Sequence, residues 1–305
     1  MTDGAPWKHH YIPVFYSRQW AGADGLLVRF DRPHKEVVDR RVSPARVGWK
    51  ENLYRMRGRD GANDQVLEQA YFSRVDDVAA RILAKMLANP PARLQQIEVN
   101  DWGHFLLSLL HRTPTFMQET KKYGIEMWRQ VLDDAAEGRS VLPASWEPSK
   151  IKDYRAAATD ADGEASVMRA LPMLIANTRM IAHLQGLHWA YYDAPLSGPD
   201  LLLSDNPVLM TNGIDVPGGH LAMPLSPRRF IVLARERETI EVLNRASPRQ
   251  LVKGVNRHTV RSANEFVVAA DLAQAPFVRK HFGAEPAQSL VGRSRSRNQP
   301  APLDE

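Results

Sequence analysis

The sequence predicts an α+β protein in which strands from both ends of the chain share a small sheet and helices occupy the middle. Short apolar segments separated by Gly and Pro turns, typical of strands, occur in residues 1–62 and again in residues 193–290. In residues 63–192, apolar side chains instead recur every three or four positions, which is typical of helices. We therefore expect a mixed or antiparallel sheet packed with a helical layer or subdomain, as one compact unit or two intimate domains.

The N-terminal region predicts a hairpin followed by the first helix. Two strand-like segments, 26–31 and 35–38, flank Arg32-Pro33-His34, a sequence typical of a turn. A helix should follow from about Asn63, because apolar residues recur at helical spacing until Asn89-Pro90 ends the pattern. These strands should join the C-terminal sheet.

The helical region continues with two segments joined at a proline. One helix should span about 100–111. Thr113-Pro114 is typical of an N-cap followed by proline at the first helical position, so a third helix should begin there and run to Gly138. Residues 139–163, which contain prolines and an Asp/Gly-rich end, should form a loop.

The remaining chain should pass from helix to sheet. A long helix is expected over about 164–192, bent or restarted at Pro172, with His188 on its buried face as a core histidine. The expected strands are 201–203, 208–210, 220–223, 230–233 and 266–268, and the expected helices are 248–262 and 273–282. The polar tail, residues 291–305, should be disordered.

The composition sets limits on the kind of protein. The chain has 305 residues, of which 44% are hydrophobic, so it can bury a sizeable core. With no cysteine, disulfides, thiolate nucleophiles and zinc–thiolate sites are excluded. No stretch has the roughly 18 consecutive apolar residues of a membrane span, so we expect a cytoplasmic protein without a membrane partner. The net charge of +5 comes from scattered basic residues, which favours a solvated surface over a dedicated nucleic-acid binder.

A first group of chemically capable residues lies near the N-terminus. His9, His10, Tyr11 and Arg18 occur within a short aromatic-rich segment. Successive strand residues point to opposite faces, so only one of the two histidines should face a given pocket. A histidine there can serve as base, acid or ligand near neutral pH. The alternative is a structural histidine that anchors a buried hydrogen-bond network.

A second group follows a buried strand past the middle of the chain. In Ser204-Asp205-Asn206-Pro207, the proline restricts Asn206 to an extended conformation and so fixes the direction of the Asp205-Asn206 pair. Carboxylates on loops after strands often carry function. The alternative is an Asx turn, in which both side chains bond nearby backbone N–H groups and need no ligand.

Together these motifs resemble a known family. HHYIP near the start, Arg112-Thr113-Pro114 after a helix, Ser-Asp-Asn-Pro-Val past the middle and Pro224-Leu225-Ser226-Pro227 soon after are similar in order and spacing to the family catalogued as domain of unknown function 4238. The resemblance covers about residues 8–283. It implies no activity. It implies that the HYxP and DNP signatures fall on His10, Tyr11 and Pro13, and on Asp205, Asn206 and Pro207.

The residues allow two functional hypotheses. Phosphate-binding loops, dinucleotide fingerprints, HExxH and GxSxG are all absent from the sequence. The first hypothesis is a phosphoester hydrolase, nuclease-like or nucleotide-directed, in which His10 and Asp205 share one pocket. The second is a non-catalytic protein that binds nucleic acid or another protein and uses the same motifs structurally.

The hydrolase hypothesis assigns a role to each residue. Its catalytic residues are His10, Asp205, Asn206 and Arg112; its binding residues are His9, Tyr11, Arg18 and Glu68. His10 would act as base or metal ligand, and Asp205 would either bind a divalent metal ion, the candidate cofactor, or orient the histidine. The candidate partner is a nucleic acid or a nucleotide.

Overall fold

The computed structural model describes residues 8–54, 71–139, 147, 150–211, 213–214 and 216–287. Its helices within that part of the chain are α1 (Val14–Ser17), α2 (Ser73–Leu87), α3 (Gln96–His111), α4 (Pro114–Ala136), α5 (Ile151–Ala157), α6 (Asp160–Ile175), α7 (Thr178–Gln185), α8 (Arg237–Arg245), α9 (Pro248–Arg261) and α10 (Ala275–His281). Its strands are β1 (Lys8–His10), β2 (Leu27–Asp31), β3 (Val38–Val42), β4 (Trp49–Glu51), β5 (His188–Asp193), β6 (Leu203–Ser204), β7 (Leu209–Thr211), β8 (His220–Ser226), β9 (Arg229–Ala234) and β10 (Phe266–Ala269).

The described strands form three antiparallel sheets that join distant parts of the sequence. β1 pairs with β4, a second sheet has the order β3-β2-β10-β6, and a third has the order β5-β9-β8-β7. In the second sheet Phe30 of β2 lies opposite Val267 of β10. The α+β class is therefore confirmed, and N-terminal strands do join C-terminal ones.

Two helix boundaries fall where the sequence places them. α2 ends at Leu87, just before Asn89-Pro90. α4 begins at Pro114, and the side chain of Thr113 accepts a hydrogen bond from the backbone N–H of Phe116 at 3.2 Å. This N-cap satisfies one of the donors that a helix start leaves without an intrahelical partner. The beginning of the expected helix at Asn63 lies outside the described residues.

Two predictions for the middle of the chain are wrong. Residues 139–163 do not form only a loop, since they contain α5 and the start of α6, where Thr159 and Asp162 make a reciprocal capping box. The single helix over 164–192 is instead α6, α7 and strand β5. α7 ends at Gln185 with Gly186 as its C-cap, and the aromatic residues that follow favour a strand because they pack well on a pleated surface. His188 is accordingly an exposed strand residue and no core histidine.

The N-terminal segment is inserted into the main core. Tyr16 and Trp20 are fully buried in a cluster that also contains Phe105 of α3 and Phe266 of β10. Their polar atoms have distant acceptors, because Tyr16 Oη donates to the carbonyl of Pro224 and Trp20 Nε1 donates to that of Leu201 at 2.7 Å. A buried donor without such a partner would be costly. Within the described residues, no helix is long and apolar enough to cross a membrane.

The turn after β1 depends on a close approach of two backbone segments. The carbonyl of Gly48 accepts hydrogen bonds from the N–H groups of Tyr11 and Ile12, at 2.8 and 3.0 Å. Gly48 has a φ of 62°, and a Cβ on it would lie 2.4 Å from the Cβ of Ile12. Both the left-handed conformation and the missing side chain are therefore required there.

We expect Gly48→Ala to lower the free energy of unfolding by about 2–5 kcal/mol, combining left-handed strain with overpacking. Urea unfolding monitored by circular dichroism measures it. Gly25→Ala is the matched control, because Gly25 also has a positive φ, 74°, but has no atom within 4 Å of the added Cβ. The control should lose only about 1–2 kcal/mol. Equal losses for the two variants would contradict the close-approach argument.

Candidate functional site

Strand β1 delivers its two histidines to opposite faces, as strand alternation predicts. His9 is buried and His10 is half-buried. His9 Nδ1 accepts a hydrogen bond from the backbone N–H of Tyr54 at 3.0 Å, and the two rings stack at a centroid distance of 5.1 Å. Because a backbone N–H can only donate, Nδ1 carries no proton and Nε2 carries it. The tautomer of His9 is thus fixed by the fold.

A series of ring contacts leads from His9 to Arg112. Tyr54 contacts Phe72 at 4.9 Å between centroids, and its hydroxyl donates to the carbonyl oxygen of Arg112 at 3.2 Å. The guanidinium of Arg112 lies over the rings of Phe72 and Phe105, with its Cζ 5.6 and 5.7 Å from their centroids. The structure therefore brings the first motif, residues 9–11, and the Arg-Thr-Pro motif into one neighbourhood.

Arg112 is fully buried but only partly hydrogen-bonded. Its Nη1 donates to both carboxylate oxygens of Asp76, at 3.0 and 3.2 Å. Its Nε and Nη2 are buried and have no hydrogen-bond partner among the described residues. Burial raises the pKa of Asp76, and the positive charge of Arg112 opposes that rise. Burying guanidinium N–H groups without acceptors lowers the stability of the fold, unless another group accepts hydrogen bonds from them.

A second buried arginine, Arg229, has a hydrogen-bond partner for each of its three guanidinium nitrogens. Arg229 gives its Nε and Nη2 to the two oxygens of Asp193, at 2.6 and 2.9 Å. Its Nη1 donates to the carbonyls of Met86 and Ala88, at 3.0 and 2.7 Å. Arg229 thus binds a carboxylate through Nε and Nη2. In Arg112 the same two nitrogens have no partner in the described part of the chain.

His10 lies within electrostatic range of Arg112. Its Nε2 bonds the carbonyl of Ala45 at 3.2 Å, and since a carbonyl only accepts, Nε2 carries the proton and the lone pair of the neutral ring is on Nδ1. The pKa of His10 is lowered, first by burial and then by the positive charges of Arg112 and Lys8, although the hydrogen bond to Ala45 opposes these effects. The neutral form of His10 is therefore favoured.

Asp205 occupies a different environment, closed by backbone donors. It is 3% exposed, and its carboxylate accepts from the N–H of Asn264 at 3.1 and 3.2 Å and from that of Phe266 at 3.3 Å. Asn206 Nδ2 donates to the same carboxylate at 2.9 Å and to the carbonyl of Ser262 at 3.2 Å. Burial raises the pKa of Asp205 to about 7, against the effect of these donors. The pair ties β6 to the end of α9 and to β10.

Tyr11 connects the first motif to this second one. Its hydroxyl donates to Glu265 Oε2 at 2.7 Å, and Lys50 pairs with the other oxygen of Glu265 at 2.9 Å. Burial raises the pKa of Tyr11 well above its ordinary value, and the negative charges of Glu265 and Asp205 add to that rise. The HYxP and DNP motifs thus come together at residues 264–266, where Tyr11 bonds Glu265 and Asp205 bonds the backbone of Asn264 and Phe266.

The predicted site residues therefore divide into two groups. Arg112 lies with His9 and within the electrostatic range of His10, whereas Asp205 lies with Asn206 and Tyr11. Within the described residues no hydrogen bond or ion pair joins His10 to Asp205, and no group of three or more His, Asp or Glu side chains could hold a metal ion. Of the two remaining binding candidates, Arg18 is exposed and joins neither group, and Glu68 lies outside the described residues.

Sequence reasoning missed several residues of both groups. Asp76, the only carboxylate that pairs with Arg112 in the described chain, lies in the first turn of α2 among ordinary helix residues. Tyr54 and Glu265 carry no motif either. Nothing in their sequence neighbourhood indicates these roles, because the partners come from distant segments.

The fold and the site define an α+β protein in which short polar motifs from three regions of the chain converge on a buried arginine and a buried aspartate. The family model described as "Protein of unknown function (DUF4238)" matches residues 8–272, and the chain belongs to that family. No curated protein and no solved structure matches the chain.

We expect Asp205→Asn to lower the free energy of unfolding by about 1.5–3 kcal/mol at pH 5, because an amide N–H₂ would face donors that a carboxyl oxygen accepts. The loss should be smaller at pH 8, because the ionised carboxylate of the parent then bears the burial cost that raises its pKa to about 7. Thermal and urea unfolding measure this loss. Asp200→Asn is the control: Asp200 is paired with Arg228 at 2.6 Å, but its side chain is 32% exposed, so the loss should be below about 1 kcal/mol. A variant of Asp205 as stable as the parent would mean that the carboxylate is held for a ligand and not for the backbone.

Proposed function

We propose that the protein is a phosphoester hydrolase, nuclease-like or nucleotide-directed, that holds a phosphate group of its substrate at Arg112. One observation carries this proposal. The guanidinium of Arg112 is fully buried, yet its Nε and Nη2 have no hydrogen-bond partner among the described residues. Buried charged donors are normally satisfied, so an unused edge is typical of a site that a ligand completes.

The chemistry of that edge favours an oxyanion with two acceptor atoms. Nε–H and Nη2–H lie on the same side of the planar guanidinium and suit phosphate or carboxylate geometry in a bidentate manner. Arg229 gives the internal precedent, since the same pair of atoms holds the carboxylate of Asp193 at 2.6 and 2.9 Å. In a water-poor environment such a contact is stronger than at the surface.

His10 supplies the group that would activate water. A general base must be unprotonated, and the lowered pKa of His10 keeps its Nδ1 lone pair available at neutral pH. In the proposed reaction a water oxygen attacks phosphorus, one water proton passes to Nδ1, and the P–O bond to the leaving group breaks. The leaving oxygen takes its proton from the imidazolium or from solvent. Arg112 stabilises the charge on the phosphoryl oxygens.

Asp205 and Asn206 act in this proposal as positioning residues. Their side chains are bonded to each other and to backbone groups, which supports a structural role that keeps Tyr11 and β10 in register. Asp76 adjusts the site electrostatically, since its charge partly neutralises that of Arg112.

The second candidate function is binding of an anionic ligand without turnover, in a nucleic-acid- or protein-binding protein. The local bonding of Asp205 and Asn206 favours it, because two of the residues first assigned to catalysis already have protein partners. Both candidates require an anion at Arg112. They differ in whether a phosphoester bond breaks.

Inorganic phosphate should raise the melting temperature of the parent protein, and Arg112→Lys should abolish that rise, because an ammonium cannot give the same bidentate contact. Differential scanning fluorimetry over a phosphate series, with chloride matched for ionic strength, measures the effect. Arg229→Lys is the matched control. It replaces another buried arginine and should lose stability while keeping the phosphate response.

A second variant keeps this test decisive if Arg112→Lys does not fold. Asp76→Asn removes the neighbouring negative charge, so phosphate should bind more tightly and the midpoint of the response should move to lower concentration. Absence of a phosphate response in the parent, or an unchanged response in Asp76→Asn and Arg112→Lys, would contradict anion binding at Arg112.

Hydrolysis of bis(p-nitrophenyl) phosphate and of nucleotides, with and without Mg²⁺, separates the two candidate functions. His10→Gln should lower the rate about 10²–10⁴-fold, as expected for loss of a general base. The rate should fall as pH decreases below 6.5, because protonation of His10 removes its lone pair and its pKa is lowered from that value. His220→Gln, an equal change on β8, should leave the rate unaltered. Phosphate binding without hydrolysis in the parent would favour the binding protein.

A further inference from the structure

Helix α9 carries an uninterrupted row of positive charge. Arg249, Lys253, Arg257 and Arg261 are spaced four residues apart, so they follow one another along the same side of the helix. The helix contains no Asp or Glu. In the sequence these four cations are separated by other residues, and it is the helix that places them next to one another. We call this row the α9 stripe.

Most of the stripe is free of ion pairs. Arg249, Lys253 and Arg257 are exposed, and none of them forms an ion pair within the described part of the chain. Arg261 pairs with Glu285. Arg257 is also within electrostatic range of Glu285, so one carboxylate only partly offsets the positive charge of the stripe. Neighbouring cations repel one another, and an anionic partner would relieve the repulsion that remains.

Helix α10 extends the positive surface beside the stripe. Lys280 is exposed and, among the described residues, has no ion-pair partner. The pKa of His281 is lowered by desolvation and then by the charge of Lys280. Arg257 and Arg261 of the stripe lower the pKa of His281 further, which shows that charges of the two helices converge.

A glycine lies in the middle of the stripe for no reason of internal packing. Gly254 is exposed, and a Cβ added to it would meet nothing within 4 Å. Glycine inside a helix costs roughly 0.5–1 kcal/mol relative to alanine. Because Gly254 has no side chain, the helix surface between Lys253 and Arg257 is recessed. The backbone of another molecule can approach the helix closely there.

We propose that the α9 stripe is a docking surface for the sugar–phosphate backbone of a nucleic acid. Four positions at a rise of 1.5 Å per residue extend over roughly 18 Å, which matches about five nucleotides at 3.4 Å per strand step. The donors are arginine and lysine, side chains that proteins use to contact the phosphates of nucleic acids. The proposal uses none of the residues around Arg112 and does not depend on the proposed hydrolase.

The surroundings of the stripe favour nucleic acid over a lipid surface. A membrane-bound helix offers an apolar face to the lipid. The apolar side of α9, with Val252 and Val260, is instead buried against the protein. None of the large apolar side chains that are exposed in the described chain belongs to α9.

Fluorescence anisotropy with the full chain tests the stripe, using labelled duplex DNA and single-stranded RNA of about 20 nucleotides. The parent should bind at low salt, with an affinity that falls as salt rises. The double variant Lys253→Gln/Arg257→Gln should reduce the slope of log K against log salt by about two, since each lost phosphate contact contributes about one. Gly254→Glu, which places a negative charge in open space, should weaken binding at least as much as losing one cation.

The matched control is Arg81→Gln/Arg93→Gln, which removes the same charge from exposed positions on α2 and the loop after it. It should keep the parental slope. Thermal unfolding of each variant verifies that the fold is retained. The proposal is overturned by a parent that binds neither nucleic acid, by stripe variants that bind like the control, or by stripe-dependent binding to phosphatidylserine vesicles without binding to nucleic acid.

Discussion

The polar atoms of buried aromatic side chains require acceptors, and this requirement fixes the N-terminal segment at the centre of the molecule. Tyr11, Tyr16 and Trp20 reach Glu265, Pro224 and Leu201, on segments that are distant in sequence. Each hydrogen bond satisfies a donor whose burial would otherwise be costly. The same segment carries the two histidines, so the position of the candidate site follows from this network.

Burial has different consequences for the two charged groups of the site. Asp205 is surrounded by donors that the backbone supplies, so its environment is complete without any other molecule. Arg112 lies over two aromatic rings and pairs with one carboxylate, that of Asp76, and its Nε and Nη2 have no partner among the described residues. Evolution can retain a structural charge because it stabilises the fold, but an unsatisfied one lowers stability and is usually retained for function.

Local chemistry was sufficient to predict part of the fold. Thr113-Pro114 marks a helix start by capping, and the apolar segments of β2 and β10 indicate a shared sheet. β5 was mistaken for the end of a helix, because its apolar residues fit both periods and only pairing with β9 decides between them.

The site was predictable to the extent that its members carry motifs. The alternation of side chains along β1 correctly predicts that His9 and His10 face different ways. Arg112 is marked by its position directly before the Thr113-Pro114 helix start. Asp76, Tyr54 and Glu265 could not be found in this way, because their roles arise from contacts between segments far apart in the chain. For the same reason, the even spacing of cations on α9 becomes meaningful only once the helix is known.

The order of strands in the second sheet has a consequence for synthesis on the ribosome. β2 and β3 leave the ribosome early, whereas β10, which completes the pairing of β2, comes near the end, and 254 positions separate Tyr11 from its acceptor Glu265. At roughly 5–20 residues per second, the nascent hairpin waits on the order of 10–50 s with an open edge. Open strand edges template wrong pairings. β3 is the outer strand of this sheet and carries Asp39, Arg40 and Arg41, and charged side chains on an edge strand oppose such wrong pairings.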